Sequence, residues 1–207
     1  MRPARQRPAA FRRFEAMGGV LDFAVFEESL GTEEELFEAI AAALGRRTSF
    51  DADRLQSLGR RRIDERLFFG DWLNHESGAL LQLGSYTTAD GRRLRNPTLL
   101  ALERTSIRSG AGEIPEAGAG GQFAYAFSHP PYSLRAKPRQ VQAVFDVIRC
   151  FILPPGHDGE ILDWSSPRLP EVSDYFEAGM EWWGVFLFSI HIPALRRLTV
   201  IAGSTTD

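Results

Sequence analysis

The chain is poor in the features that most often reveal a function. It has one cysteine among its 207 residues, Cys150, so no internal disulfide can form and the usual evidence for an oxidising compartment is missing. No apolar run approaches the roughly 18 residues that a transmembrane helix needs. The sequence therefore predicts a cytoplasmic protein with no membrane partner.

The short motifs of catalysis and cofactor binding are also missing. The chain has no P-loop, dinucleotide fingerprint, zinc-binding cysteine pair, HExxH sequence or nucleophile elbow. Its four histidines lie in separate segments without a metal-ligand spacing: His75, His129, His157 and His191. We therefore expect no cofactor and no metal, and a binding protein is favoured over an enzyme.

Charge is distributed unevenly along the chain. The formal net charge is -3, with 27 acidic and 24 basic residues, and only one of the bases is a lysine, Lys137. Five arginines and no acid fall within residues 1–13, which leaves 19 bases against 27 acids in the remainder. An acidic body lacks the basic face of a nucleic-acid-binding domain, so no nucleic-acid partner is expected. The strong preference for arginine over lysine is typical of GC-rich coding and favours a bacterial source.

The apolar pattern indicates where folded structure begins. It starts only near Val20, so residues 1–16 are predicted to form a disordered basic tail and residues 17–207 a single domain. Residues 109–121 contain five glycines and little to bury, so this stretch is predicted to be a flexible loop.

Two helices and one central strand are the strongest structural signals. Residues 32–44 begin with Thr32 as an N-cap, and Glu35 stands three positions on, as in a capping box. Residues 138–152 carry one apolar stripe at helical spacing. Residues 182–192 are apolar at both parities, which predicts a central strand covered on both faces, with the following segment as its hairpin partner.

Several shorter apolar runs complete the predicted architecture. Strands are predicted at 20–26, 66–74, 78–88, 98–106, 122–127 and 160–164, because each run is short and bounded by turn residues. Together with the two helices they predict an α+β fold, in which a mainly antiparallel sheet packs against both helices.

One stretch suggests a function. Residues 160–181 hold six acids against Arg168 alone, and aromatic residues are interleaved with them. Aromatic side chains supply contact area and acids steer a basic partner, so we expect a protein-binding surface here. The candidate binding residues are Asp163, Trp164, Glu171, Asp174, Tyr175, Glu177, Glu181 and Trp182.

Three functional hypotheses follow from these observations. In the first, the chain is a non-enzymatic bacterial binding protein, such as an immunity protein that neutralises a basic toxin; its arrangement of elements resembles small bacterial inhibitors of secreted toxins, although no motif identifies a named family. The second is a hydrolase-type enzyme that uses Asp163, Glu181 and a histidine, His191 foremost, with or without a metal. The third is a small-ligand-binding domain. The oligomeric state is not predicted.

Overall fold

The computed structural model describes residues 1–45, 48–115, 122–181 and 183–205. The strands in these ranges are β1 Arg2–Pro3, β2 Leu21–Glu27, β3 Arg61–Ile63, β4 Gly84–Thr88, β5 Arg93–Arg95, β6 Ile107–Gly112, β7 Glu160–Asp163, β8 Val185–Ile192 and β9 Arg197–Ser204. The helices are α1 Ala9–Ala16, α2 Glu33–Leu44, α3 Ala52–Leu58, α4 Glu65–Phe69, α5 Leu99–Glu103, α6 Phe123–Ser128 and α7 Pro138–Ile152. This is an α+β fold with antiparallel sheets, as the sequence predicts.

Six strands form the main sheet, in the order β1-β2-β9-β8-β7-β3, and every neighbouring pair is antiparallel. The predicted central strand is confirmed as β8, and β9 is its hairpin partner with Ile192 opposite Arg197. The remaining strands form a separate sheet in the order β5-β4-β6.

Two apolar clusters cover opposite faces of the main sheet. Phe186, Phe188 and Ile190 of β8 belong to one cluster, which also contains apolar residues of α1, α4, α6 and α7. Leu187 belongs to the other, together with Leu36 and Ile40 of α2. Because alternate side chains of a strand point to opposite faces, β8 is buried on both sides. This confirms the prediction of a central strand that is covered on both faces.

The start of α2 is built as the sequence predicts, with one difference. The Thr32 side chain accepts a hydrogen bond from the Glu35 backbone N–H at 3.4 Å. The Glu35 carboxylate, however, accepts from the backbone N–H groups of Leu30 and Gly31, at 2.7 and 3.0 Å. Glu35 therefore ties the preceding turn to the helix, rather than closing a capping box on Thr32 itself.

The three consecutive arginines at the β3 edge of the main sheet each have an acidic partner. Arg60 pairs with Glu33 of α2, and its guanidinium also lies over the Trp164 ring. Arg61 pairs with Asp163, and Arg62 pairs with Glu160, both on the neighbouring strand β7. These arginines are therefore used in contacts within the chain.

The prediction of a disordered tail at residues 1–16 is wrong. This segment forms β1 and α1, and α1 packs on α7. Phe11 and Phe14 are buried, and the Phe14 ring stacks on Phe127 with centroids 4.2 Å apart. The five arginines make this segment look polar in the sequence, although α1 has a short apolar face. Tertiary packing stabilises such a helix more than its composition suggests.

Some short apolar runs adopt helices where strands were predicted. Residues 66–69 and 99–103 lie in α4 and α5, and residues 123–128 form α6. Short apolar runs do not distinguish a buried helix from a buried strand, because periodicity needs more than one or two turns to show. Phe123 of α6 stacks on Phe68 of α4 at 4.8 Å, so the two helices stabilise each other.

The predicted loop at 109–121 is only partly within the described ranges. Residues 109–112 belong to β6, and residues 116–121 lie outside the part of the chain that the structure describes. None of the helices in the described ranges has the length and apolar character that crossing a membrane requires.

Truncation of Phe14 to alanine should destabilise the protein by about 3–5 kcal/mol, because it leaves a cavity between α1 and α6. Arg12→Ala on the exposed side of the same helix is the control and should change the free energy of unfolding by less than about 0.5 kcal/mol. Urea denaturation measures both. Equal small losses would mean that α1 does not dock on the core in solution.

Candidate functional site

A half-open cavity of about 420 Å³ lies beside α6, the start of α7 and the end of the β6 segment. Its walls are partly apolar, with Leu99, Leu134 and Val141 among the lining residues. The polar residues of its lining include Gln82, Tyr125, Ser128, His129 and Ser133. Clefts of this size, with an apolar wall and a few convergent polar groups, are typical of small-molecule sites.

Three of the polar side chains form one hydrogen-bonded chain. Ser128 Oγ lies 2.7 Å from His129 Nδ1, and His129 Nε2 lies 2.7 Å from Gln82 Oε1. Ser128 Oγ is also 2.6 Å from the backbone oxygen of Ala124. Both ring nitrogens of His129 are therefore engaged, and its imidazole has one defined orientation.

Neighbouring residues hold these three hydrogen-bonded side chains in position. The Tyr125 ring stacks on the imidazole of His129, with centroids 5.5 Å apart and an interplanar angle of 12°. Trp183 Nε1 donates a hydrogen bond to the backbone oxygen of His129 at 2.7 Å. The backbone N–H of Gln82 donates to the oxygen of Pro97 at 2.8 Å. Side chains from α6 and from the segment before β4 thus converge on the imidazole, and Trp183, two residues before β8, holds the His129 backbone.

Burial determines the charge state of the site. It lowers the pKa of His129 from 6.5 to about 4, so the imidazole is neutral at pH 7. Burial also raises the pKa of Tyr125, which keeps its phenol protonated. Among the lining residues that the structure describes, Glu113 is charged, and it pairs with Arg95 at 2.8 Å. The cavity therefore offers neutral hydrogen-bonding groups.

Two of the residues predicted to bind a partner lie in the interior. Asp163 and Trp164 are 3% and 1% exposed. The Asp163 carboxylate pairs with Arg61 at 3.2 Å, and Trp164 Nε1 donates to Ser189 Oγ at 2.9 Å. Both residues consequently belong to the core rather than to an exposed surface, which corrects the sequence-based assignment.

Other predicted binding residues hold neighbouring segments together. Glu171 forms ion pairs with Arg168 and Arg54, which lower its pKa to about 2. Asp174 accepts hydrogen bonds from the backbone N–H and the hydroxyl of Ser49, at 2.9 and 3.1 Å. Tyr175 is mostly buried, and its hydroxyl donates to Asp22 at 2.7 Å.

The remaining members of the predicted surface are dispersed. Glu177 and Glu181 are exposed, and Met180 between them is 43% exposed. Trp182 lies outside the described residues. The sequence predicts acids and aromatics on one surface because they are close together along the chain. The backbone turns of residues 169–180 instead direct the aromatics inward and leave only part of the acidic set facing solvent.

The predicted catalytic set is not assembled as a cleft. Asp163 pairs with Phe188 across the sheet, whereas His191 pairs with Glu160 at the other end of β7. Three residues along a strand separate the two positions by about 10 Å. His191 is buried, with Nε2 3.4 Å from the Ser29 backbone oxygen. In the described ranges, no group of three or more His, Cys, Asp and Glu residues is placed to hold a metal ion.

The hydrogen-bonded group of Ser128, His129 and Gln82 was not predicted from the sequence. His129 lies apart from the other histidines in the sequence, with no metal-ligand spacing, and Gln82 comes from a segment 47 residues earlier. The available signal was the run Ser128–His129–Pro130–Pro131, which places two polar side chains directly before a rigid turn.

Comparison of this chain with protein-family models, with curated proteins and with solved structures finds no match.

Acidification should destabilise the protein through His129. An unfolded chain binds a proton at this residue below about pH 6.5, whereas the folded protein resists protonation until near pH 4, so stability is lost as pH falls through that window. At one pKa unit per ~1.4 kcal/mol, the loss at pH 5 is about 2 kcal/mol. Urea denaturation at pH 7 and pH 5 should show this loss in the wild type and not in His129→Gln. The same loss in both would contradict a buried neutral imidazole.

Proposed function

We propose that the protein binds a small molecule in the cavity around His129. The observation that carries this proposal is the convergence of Gln82, Ser128 and His129 on a half-open space of about 420 Å³. A space of this volume accommodates a drug-sized ligand. Of the three sequence hypotheses, the small-ligand-binding domain has the strongest geometric support.

The lining favours an uncharged ligand. Leu99, Leu134 and Val141 supply apolar contact, and the imidazole of His129 is neutral at pH 7. Glu113 has its charge balanced by Arg95. Apolar contact supplies affinity in such sites, and a few hydrogen-bonding groups fix the orientation of the ligand.

Unused hydrogen-bonding groups support a ligand over a simple packing gap. The buried Tyr125 side chain lines the cavity, and its hydroxyl makes no hydrogen bond within the part of the chain that the structure describes. Ser133, an exposed residue, lines the same cavity. Ser133 also has a φ of 58°, which is uncommon for a residue other than glycine. Strained backbone of this kind concentrates at functional sites.

A second candidate function is protein binding by the exposed side chains of Glu177, Met180 and Glu181. Met180 is exposed between two exposed acids, and this favours contact with a basic partner that has an apolar patch. A toxin or effector protein of opposite charge fits this description. The surface is smaller than the sequence predicts, since Asp163 and Trp164 are buried.

Blocking the cavity should abolish ligand binding. Ala136 lines the cavity, so Ala136→Trp fills it, whereas Ala143→Trp places the same side chain on the exposed side of α7. A library of uncharged aromatic and aliphatic fragments is screened by saturation-transfer NMR. Fragments that bind the wild type and Ala143→Trp should lose binding to Ala136→Trp by more than about tenfold, which corresponds to ~1.4 kcal/mol. The proposal fails if no fragment binds, or if both variants bind alike.

Charge reversal tests the protein-binding candidate. Glu177→Lys with Glu181→Lys should lose a partner that the wild type captures from a lysate of the source organism, because opposite charges steer association. Glu34→Lys with Glu38→Lys makes the same charge change on the exposed side of α2 and should retain it. Equal capture by both double variants would eliminate this candidate.

A further inference from the structure

The positions of the hydrogens among Gln82, His129 and Ser128 define a chemical role for Ser128. Gln82 presents its carbonyl oxygen to His129 Nε2 at 2.7 Å, so the hydrogen of the neutral imidazole lies on Nε2. Nδ1 then carries a lone pair, and it faces Ser128 Oγ at 2.7 Å. In this tautomer the imidazole can accept a proton from the Ser128 hydroxyl through Nδ1, whereas the imidazole of a Ser-His-Asp triad accepts it through Nε2.

The Ser128 hydroxyl has two acceptors and only one hydrogen. The Ala124 backbone oxygen lies 2.6 Å from Oγ, and His129 Nδ1 lies 2.7 Å from it. Rotation of the O–H bond alone moves the hydrogen from one acceptor to the other. A serine at the end of a helix often bonds to the carbonyl four residues earlier. Here the same oxygen also has a neutral base within hydrogen-bond distance and lines a cavity.

We propose that Ser128 is the nucleophile of an acyl-transfer site, with His129 as its general base and Gln82 as the positioning residue that fixes the imidazole tautomer. A nucleophile in hydrogen-bond reach of a base, with the base oriented by a third group, is the general arrangement of activated serines. This inference rests on the proposed ligand site, because the substrate would occupy the same cavity.

The substrate class is a small uncharged ester with an apolar acyl group. No lysine or arginine is among the described lining residues, so the cavity is poorly suited to a phosphate or a free carboxylate. Leu99, Leu134 and Val141 suit an acyl chain. The hydroxyls of Tyr125 and Ser133 are available to donate to an oxygen that becomes negative during the reaction.

The reaction balances without any other reactant than water. Ser128 Oγ forms a bond to the carbonyl carbon while its proton moves to His129 Nδ1. The bond from that carbon to the leaving oxygen breaks, and the proton on Nδ1 passes to the leaving alcohol. Water then attacks the acyl group and gives a proton to His129, the bond to Ser128 breaks, Ser128 regains its proton, and a carboxylic acid is released.

Covalent labelling tests this directly. Phenylmethanesulfonyl fluoride should add once per chain, and peptide mapping by mass spectrometry should place the adduct on Ser128. Ser128→Ala should show no adduct. Ser109→Ala, which removes an exposed serine of β6, should label like the wild type. His129→Asn should slow labelling by about 10²–10⁴-fold. The absence of an adduct, an adduct elsewhere, or an undiminished rate in His129→Asn would overturn the proposal.

The pH dependence of labelling separates positioning from structural support. The wild-type rate should fall on the acid side only near pH 4, where His129 takes up a proton. Gln82→Glu places a carboxylate beside Nε2–H, which favours the protonated imidazole. The fall in labelling rate should therefore move to higher pH, by about one pH unit or more. A limb that stays at the same pH would exclude Gln82 as the positioning residue. This measurement also serves if His129→Asn does not fold.

Fragment binding to the same preparation distinguishes the two proposals. Fragments that bind while Ser128 stays unlabelled would leave the ligand site intact and reject only the nucleophile. Failure of both fragments and label would reject the ligand site as well.

Discussion

The fold depends on the burial of the β8–β9 hairpin on both faces. Leu187 and Phe188 are adjacent in sequence, yet each is fully buried, in a different apolar cluster. A strand of this kind cannot lie at an edge, so it requires strands on both sides and a helical layer above and below. The order β2-β9-β8-β7 and the placement of α2 and α7 on opposite faces follow from that requirement.

The sequence allows the elements with strong periodicity to be predicted, and little else. The helix at residues 138–152 and the central strand were predictable because their apolar patterns extend over many residues. Residues 1–16 and 122–127 were not, because a short run carries too little periodicity and only tertiary partners such as Phe68 and Phe127 make their helices stable.

The candidate site illustrates a different limit. A hydrogen-bonded chain has no sequence signature when its members come from distant segments, and Gln82 meets His129 only because α5, α6 and α7 close around one space. The predicted acidic aromatic surface has the opposite problem, because residues that are close in sequence do not share one function. Asp163 and Glu171 are close in sequence and both acidic, but each is neutralised by an arginine from residues 54–61 that no local pattern connects to it.

Both edges of the main sheet carry features that oppose the addition of further strands. At one edge β1 is two residues long and includes Pro3, which has no N–H to donate. At the other edge, Arg61 and Arg62 of β3 pair with acids of β7, and Arg60, directly before β3, pairs with Glu33 of α2. Charged side chains and proline on edge strands oppose pairing between molecules. These edge features therefore disfavour growth of the sheet from one molecule to the next, although its central hairpin is strongly apolar.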